Sequence, residues 1–236
     1  MGPPVSRKTT YFHHSLSYYV FFVILIFAVL VLIFTGVIGI TLGAVGFSPL
    51  TIILTMVACL IGSSINIPLY KIKTTAPIVR DEYVRWLGII YRIPRVSYGE
   101  ASTQVAVNVG GALIPTSLSV YLLSISSASI VILSLIGVLI VTIVTHLVAR
   151  PVKGVGVVTP AFISPIVAAI SAVLLSSAHP VIIAYVSGTL GTLIGADLLN
   201  LGKIPELGAP VASIGGAGTF DGVFLTGIIA ALITIL

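Results

Sequence analysis

Long apolar runs interrupted by short polar breaks dominate the chain. They predict helices at residues 18–43, 49–70, 104–124, 128–148, 160–177, 180–200 and 218–236. Most runs approach the roughly 20 apolar residues that cross a bilayer core. The pattern predicts an all-α fold, a polytopic membrane helical bundle of about seven transmembrane helices. Residues 1–236 read as a single transmembrane domain. The fifth and sixth runs are separated only by Ala178 and His179, a tight turn. The first run is longer than a signal-peptide core, so it is expected to be retained as a span.

Composition agrees with the pattern. Hydrophobic residues make up 58% of the chain, charged residues only 7%, and the mean hydropathy is +1.24. A soluble domain carries roughly a quarter charged residues. The formal net charge is +5, yet so apolar a chain excludes nucleic acid as its main partner. The basic residues set topology instead. With seven spans, Arg7 and Lys8, the six between Lys71 and Arg95, Arg150, Lys153 and Lys203 all fall on one side. The positive-inside rule assigns that side to the cytoplasm, with the N-terminus inside. The expected setting is the cell membrane, with the lipid bilayer as the first partner. Cys59 is the sole cysteine, which excludes an intrachain disulfide and a cysteine metal cluster.

The 71–103 connection is the one sizeable polar segment. Trp86, Tyr91 and nearby isoleucines alternate with Arg85, Arg92 and Arg95. That suits the headgroup boundary as a basic cytoplasmic anchor. The alternation from Tyr91 to Val96 also fits a short strand, with 71–73 as a possible partner. A four-residue echo links Val109-Gly110-Gly111-Ala112 to Ile214-Gly215-Gly216-Ala217. It permits a duplication around the fourth span.

Six acids are present, and four of them lie in polar loops. Asp197 and Asp221 sit inside apolar runs, where an ionisable residue is costly and has a partner or a task. Each lies about three residues from the cytoplasmic end of its span, roughly 5 Å deep. Antiparallel neighbours can therefore set the two carboxyls opposite one another. Asp221 also suits a helix start, where exposed N–H groups favour an acid. Asp197 falls in a last turn, where the dipole opposes it. Two carboxyls held close cannot both ionise cheaply, so they share one proton. That is the arrangement for aspartyl proteolysis: one activates water while the other polarises the carbonyl.

Gly195, Gly216, Gly218 and Thr219 flank the acids. Asn66, Asn108 and Asn200 are expected at the cytoplasmic ends of spans two, three and six. Together they are candidate substrate-binding residues, although interhelical hydrogen bonding explains the asparagines equally. His146 is expected to face the headgroups. Gly154 and Gly156 make a turn rather than a phosphate loop. No histidine has metal-ligand spacing to the acids, so no metal or other cofactor is expected.

Four stretches carry a resemblance: GSSINIPL at 62–69, VNVGGA at 107–112, GTLGTLIGADLLNL at 188–201 and IGGAGTFDG at 214–222. Together they resemble the prokaryotic membrane family designated domain of unknown function 1614. That resemblance covers nearly the whole chain and implies no activity. An Asp in one helix, followed in the next by an Asp after Gly-x-Gly, is also similar to the presenilin-like intramembrane aspartyl proteases. That likeness implies catalytic roles for Asp197 and Asp221 and a membrane protein or peptide as substrate. The departures are visible: Thr219 and Phe220 separate Gly218 from Asp221, and Ala196 precedes Asp197. Alternatives from the residues themselves are a proton- or cation-coupled transporter using the same aspartates, or a non-catalytic structural membrane protein.

A direct test of the pair uses Asp197→Cys with Asp221→Cys in a Cys59→Ser background. Mild oxidant in native membranes should bridge the two sulfurs, which requires Cα atoms within about 7 Å. A short-linker reagent run in parallel covers a slightly wider pair. No product with either reagent sinks the dyad.

Overall fold

The computed structural model describes residues 16–86, 89–152, 156–204, 210–216 and 222–236. The chain divides into two compact units, Met1–Ile38 and Gly39–Leu236. The first unit contains most of helix α1 (Leu16–Val45). Its large apolar side chains from Tyr19 to Ile33 are exposed, as suits a lipid-facing helix. The Thr35 hydroxyl is satisfied inside the helix by the carbonyls of Val31 and Leu32, 2.9 and 3.0 Å away. A polar group in such a helix has no water to turn to.

In the second unit, helices α2 (Pro49–Gly62), α3 (Ile114–Ile125), α4 (Ala128–Val148), α5 (Ile163–Leu175), α6 (Pro180–Thr192) and α7 (Gly222–Ile233) follow in order. The sequence marks several of the starts. Ser48 caps α2 by accepting from the Thr51 amide, with Pro49 in the first turn. Pro180 opens α6 in the same way. The expected span at 128–148 coincides with α4. Among the described residues, three helical stretches are long and apolar enough to cross a membrane, Tyr19–Val45, Ala128–Val148 and Pro180–Lys203, and four more apolar helices are shorter.

Helix α6 is the centre of this unit. It packs against α3, α4, α5 and α7, and every residue from Ile183 to Thr189 is buried. Small residues make this possible. A Cβ on Gly191 would stand 2.6 Å from Val141 Cβ, and one on Gly188 would stand 3.2 Å from Gly227 Cα. Close backbone approach of this kind replaces the hydrophobic drive that lipid does not provide.

An all-α fold omits a substantial sheet. β1 (Asn66–Trp86) and β2 (Ile89–Asn108) form a long antiparallel hairpin, in register from Asn66↔Asn108 to Trp86↔Ile89. The ladder is irregular only between Pro68 and Tyr70, where a proline lacks a donor. β5 (Val211–Ile214) adds parallel to β2, giving the order β1-β2-β5. β3 (Arg150–Val152) and β4 (Gly156–Val158) make a separate small hairpin.

The sheet therefore takes over parts of two expected spans. Residues 66–70 and 104–108 are strand, not helix. The helix stops at Gly62 because Ser63, Ser64 and Pro68 cannot sustain it, and β-branched Val105 and Val107 favour the ladder. The Tyr91–Val96 strand is present, but residues 79–84 pair with it rather than 71–73, which pair with 102–104. The side chains of residues 74–98 lie outside the described set.

The two glycine pairs of the sequence echo come together. Each lies just beyond the end of a strand of the same sheet, and Val107 pairs with Ile214. That register is two residues away from the echo's own alignment, which sets Val109 beside Ile214. A Cβ on Gly215 would stand 2.5 Å from Ala112 Cβ.

Close approach makes a prediction. A Cβ at Gly110 would run into the Cys59 carbonyl and the Ser63 amide, whereas Gly202 has open space. Gly110→Ala should cost at least about 2 kcal/mol, read as a fall of several degrees in thermal unfolding of the purified protein. Gly202→Ala should stay within about 0.5 kcal/mol of wild type.

Candidate functional site

The helix of α6 does not end cleanly. Residues Leu193–Asp197 form a π-helical turn and Leu198–Lys203 a 3₁₀ segment. Such breaks release carbonyls and often accompany function. Here the released carbonyls of Gly195 and Ala196 accept from Asn200 Nδ2, at 3.0 and 2.9 Å. His146 Nδ1 lies 3.3 Å from both Asn200 Nδ2 and the Gly195 carbonyl. His146, expected to face the headgroups, is half-buried and belongs to this cluster. Its position one helical turn before Arg150 could not reveal a partner 54 residues away.

Asp197 stands at the junction of the π and 3₁₀ segments, half-buried. Its Oδ2 accepts the Gly215 N–H at 2.7 Å. A charged acceptor makes such a bond stronger than an ordinary one. The bond depends on glycine, because Gly215 has φ +81 and Gly216 φ +86. Left-handed backbone of this kind is strained for residues carrying a Cβ.

Asp197 lines a cavity of about 190 Å³. Thr192 and Asn200 continue its α6 wall, and Ser213 and Ile214 of β5 supply another. Gly156, Val157, Gly216, Gly222 and Val223 also belong to the lining. Val105, Ala112, Leu193, Ile204, Ile214 and Val223 form a buried apolar cluster, of which Ile204, Ile214 and Val223 also line the cavity. The cavity is therefore seated where the sheet meets α6 and α7.

Of the residues expected at the site, Asp197, Asn200 and Gly216 line this cavity. Gly195 is at the break but serves packing, since a Cβ there would stand 2.6 Å from the Thr142 carbonyl. Asp221, Gly218 and Thr219 lie outside the described residues. Gly222, the residue after Asp221, lines the cavity.

Asn66 and Asn108 do not line it. They sit where β1 and β2 join α2 and α3, and they clamp the sheet. Asn108 Nδ2 donates to the Ser63 carbonyl (2.7 Å) and to Asn66 Oδ1 (3.2 Å), while its Oδ1 accepts the Gly111 amide (2.7 Å). Asn66 Oδ1 also accepts from Ser213 Oγ (2.6 Å), tying β1 to β5 across the intervening β2.

Sequence reasoning missed Thr192, Ser213 and the Gly215 amide. No local signal marks a threonine inside a membrane helix as a cavity wall. Gly156, read as part of a turn, does open strand β4 with φ +125 and also reaches the cavity. Among the described residues, no group of three or more His, Cys, Asp or Glu side chains could hold a metal ion.

Asn108→Leu should destabilise the sheet junction by about 2–4 kcal/mol. It would leave the buried Ser63 carbonyl and Gly111 amide without their partner, at about 1–3 kcal/mol each. Thermal unfolding of the purified variant measures the loss, and a shift below the equivalent of about 0.5 kcal/mol would refute the clamp.

Comparison with known families is consistent with the motifs. No curated protein and no solved structure matches the chain. A family model, described as protein of unknown function (DUF1614), matches residues 60–233, from the end of α2 to the end of α7. The match covers the sheet, the α6 break and the cavity, and the chain belongs to the DUF1614 family.

Proposed function

We propose that the protein is an intramembrane aspartyl endopeptidase acting through Asp197 and Asp221. It would cross the cell membrane with seven spans, its N-terminus and basic loops in the cytoplasm. The observation that carries this reading is the wall composition of the Asp197 cavity. The carboxyl shares that cavity with strand β5 and with Gly222, the sequence neighbour of Asp221. Among the described residues, β5 is an edge strand, paired only with β2. An edge strand offers backbone groups to an extended peptide, which can add to the sheet.

The chemistry then follows from two carboxyls sharing one proton. The ionised member takes a proton from water as its oxygen attacks the scissile carbonyl, and the protonated member donates to the carbonyl oxygen. Collapse of the tetrahedral intermediate breaks the C–N bond, and the amine leaves with a proton. The broken end of α6 supports this reading, because unwound backbone in a membrane is tolerated where it lines a cavity.

A second reading, proton- or cation-coupled transport through Asp197, draws on a different observation. Tyr185, Thr189 and Thr192 form a buried polar stripe along α6 that ends at the cavity. Polar groups leading into a membrane protein favour an ion path.

Full-length protein in liposomes, incubated with apolar transmembrane peptides, separates the two. Cleavage should be detected by mass spectrometry and fall at least about 100-fold in Asp197→Asn and in Asp221→Asn. Cleavage that survives either change would overturn the proposal. Proton or cation flux without cleavage, lost in Asp197→Asn, would establish the second reading in its place.

A further inference from the structure

The β1–β2 hairpin outruns the rest of its sheet. Strand β5 pairs with β2 only along Gln104–Val107. Among the described residues, the rungs from Lys73↔Ser102 to Trp86↔Ile89 have no third strand beside them. At about 3.3 Å per residue they make a two-stranded ribbon roughly 40 Å long. Two strands alone are marginally stable in water, so such a ribbon needs a surface to lie on.

Its register indicates the surface. Pairs at alternate rungs share one face of a ribbon. Trp86↔Ile89, Val84↔Tyr91, Glu82↔Ile93 and Arg80↔Arg95 therefore fall on one face at the far end. Like charges directly opposite one another destabilise a ladder, and an anion between them removes the conflict. Glu82 is the only acid on that face along the ribbon, one charge against two. The opposite face carries Arg85↔Ile90, Tyr83↔Arg92 and Asp81↔Pro94, again with two bases to one acid. The excess is thus positive on both faces, while the larger apolar and aromatic share lies on the Arg80↔Arg95 face.

Aromatic residues at a tip with arginines a few rungs behind them match a bilayer surface, where rings sit at headgroup level and guanidinium groups meet lipid phosphate. The chain also brings the ribbon there. β1 follows the apolar helix α2, and β2 leads on to α3, so the ribbon is tethered to the bilayer that holds those helices. We infer that the far end of the β1–β2 ribbon docks on anionic lipid through the face of Arg80 and Arg95. A lipid phosphate supplies the anion that this rung calls for, and the surface supports a ribbon that water alone would not. The inference stands apart from the protease reading, because none of these residues lines the Asp197 cavity.

The test uses full-length protein, one copy per nanodisc, in discs of brominated phosphatidylglycerol or brominated phosphatidylcholine. Trp86 is the only tryptophan of the chain, so its fluorescence reports this end of the ribbon alone. Acyl bromines should quench it at least about twofold more in phosphatidylglycerol, because the anionic surface attracts the arginines. Salt at about 1 M should erase most of that difference, since it shortens the screening length to about 3 Å. Arg80→Gln with Arg95→Gln should erase it too, and Glu82→Gln should enlarge it. The salt series needs no variant, so it decides the matter if the glutamine pair does not fold. Equal quenching in the two lipids, no quenching in either, or a phosphatidylglycerol preference that survives high salt or a folded glutamine pair each overturns the docking. Shielding of Trp86 from aqueous acrylamide without bromine quenching would overturn it as well, and would place a protein surface over the ribbon instead.

Discussion

A membrane helix that breaks must find partners for the backbone groups it releases, because the bilayer core offers no water to satisfy them. That constraint organises the region around Asp197. The break from Leu193 to Lys203 frees carbonyls, and the Asn200 side chain returns to meet two of them. The same constraint brings in His146 from α4 and the Gly215 amide from beyond β5. A carboxylate can stand at this end of α6, against the sense of the helix dipole, because a backbone N–H 2.7 Å away compensates it.

The break also needs a helix that is held in place. α6 is fixed by close approach on several sides, with Gly191 against Val141 and Gly188 against Gly227. Small residues thus do two things in this protein. They pack the central helix tightly, and at Gly215 they allow a left-handed backbone that turns an N–H toward Asp197. A side chain at either kind of position would interfere with a different function: packing in the first case, electrostatics in the second.

The sheet supplies the rest of the frame. β2 and β5 run parallel and both lead into glycine pairs, and the two pairs abut at Gly111, Ala112 and Gly215. Asn66 and Asn108 lock this junction through Ser63, Gly111 and Ser213. These asparagines, candidates for ligand contact in the sequence, hold the sheet junction through these hydrogen bonds. The cavity takes polar lining from Thr192, Asp197 and Asn200 at the broken end of α6, from Ser213 of β5 and from Thr159 after β4.

Hydrophobic pattern by itself determined the membrane class, the starts of α2, α4 and α6, and the prominence of Asp197. Those features depend on local burial preference and on capping, which neighbouring residues encode. The same pattern read residues 66–70 and 104–108 as helix, because a short apolar run has no period that separates strand from helix. Pairing with a distant segment decided them. Tertiary structure alone also brought His146 to Asn200, set the Gly215 amide on Asp197, and made Thr192 and Ser213 walls of one cavity. Each of these joins residues far apart in the chain, the first two through hydrogen bonds that no local spacing records.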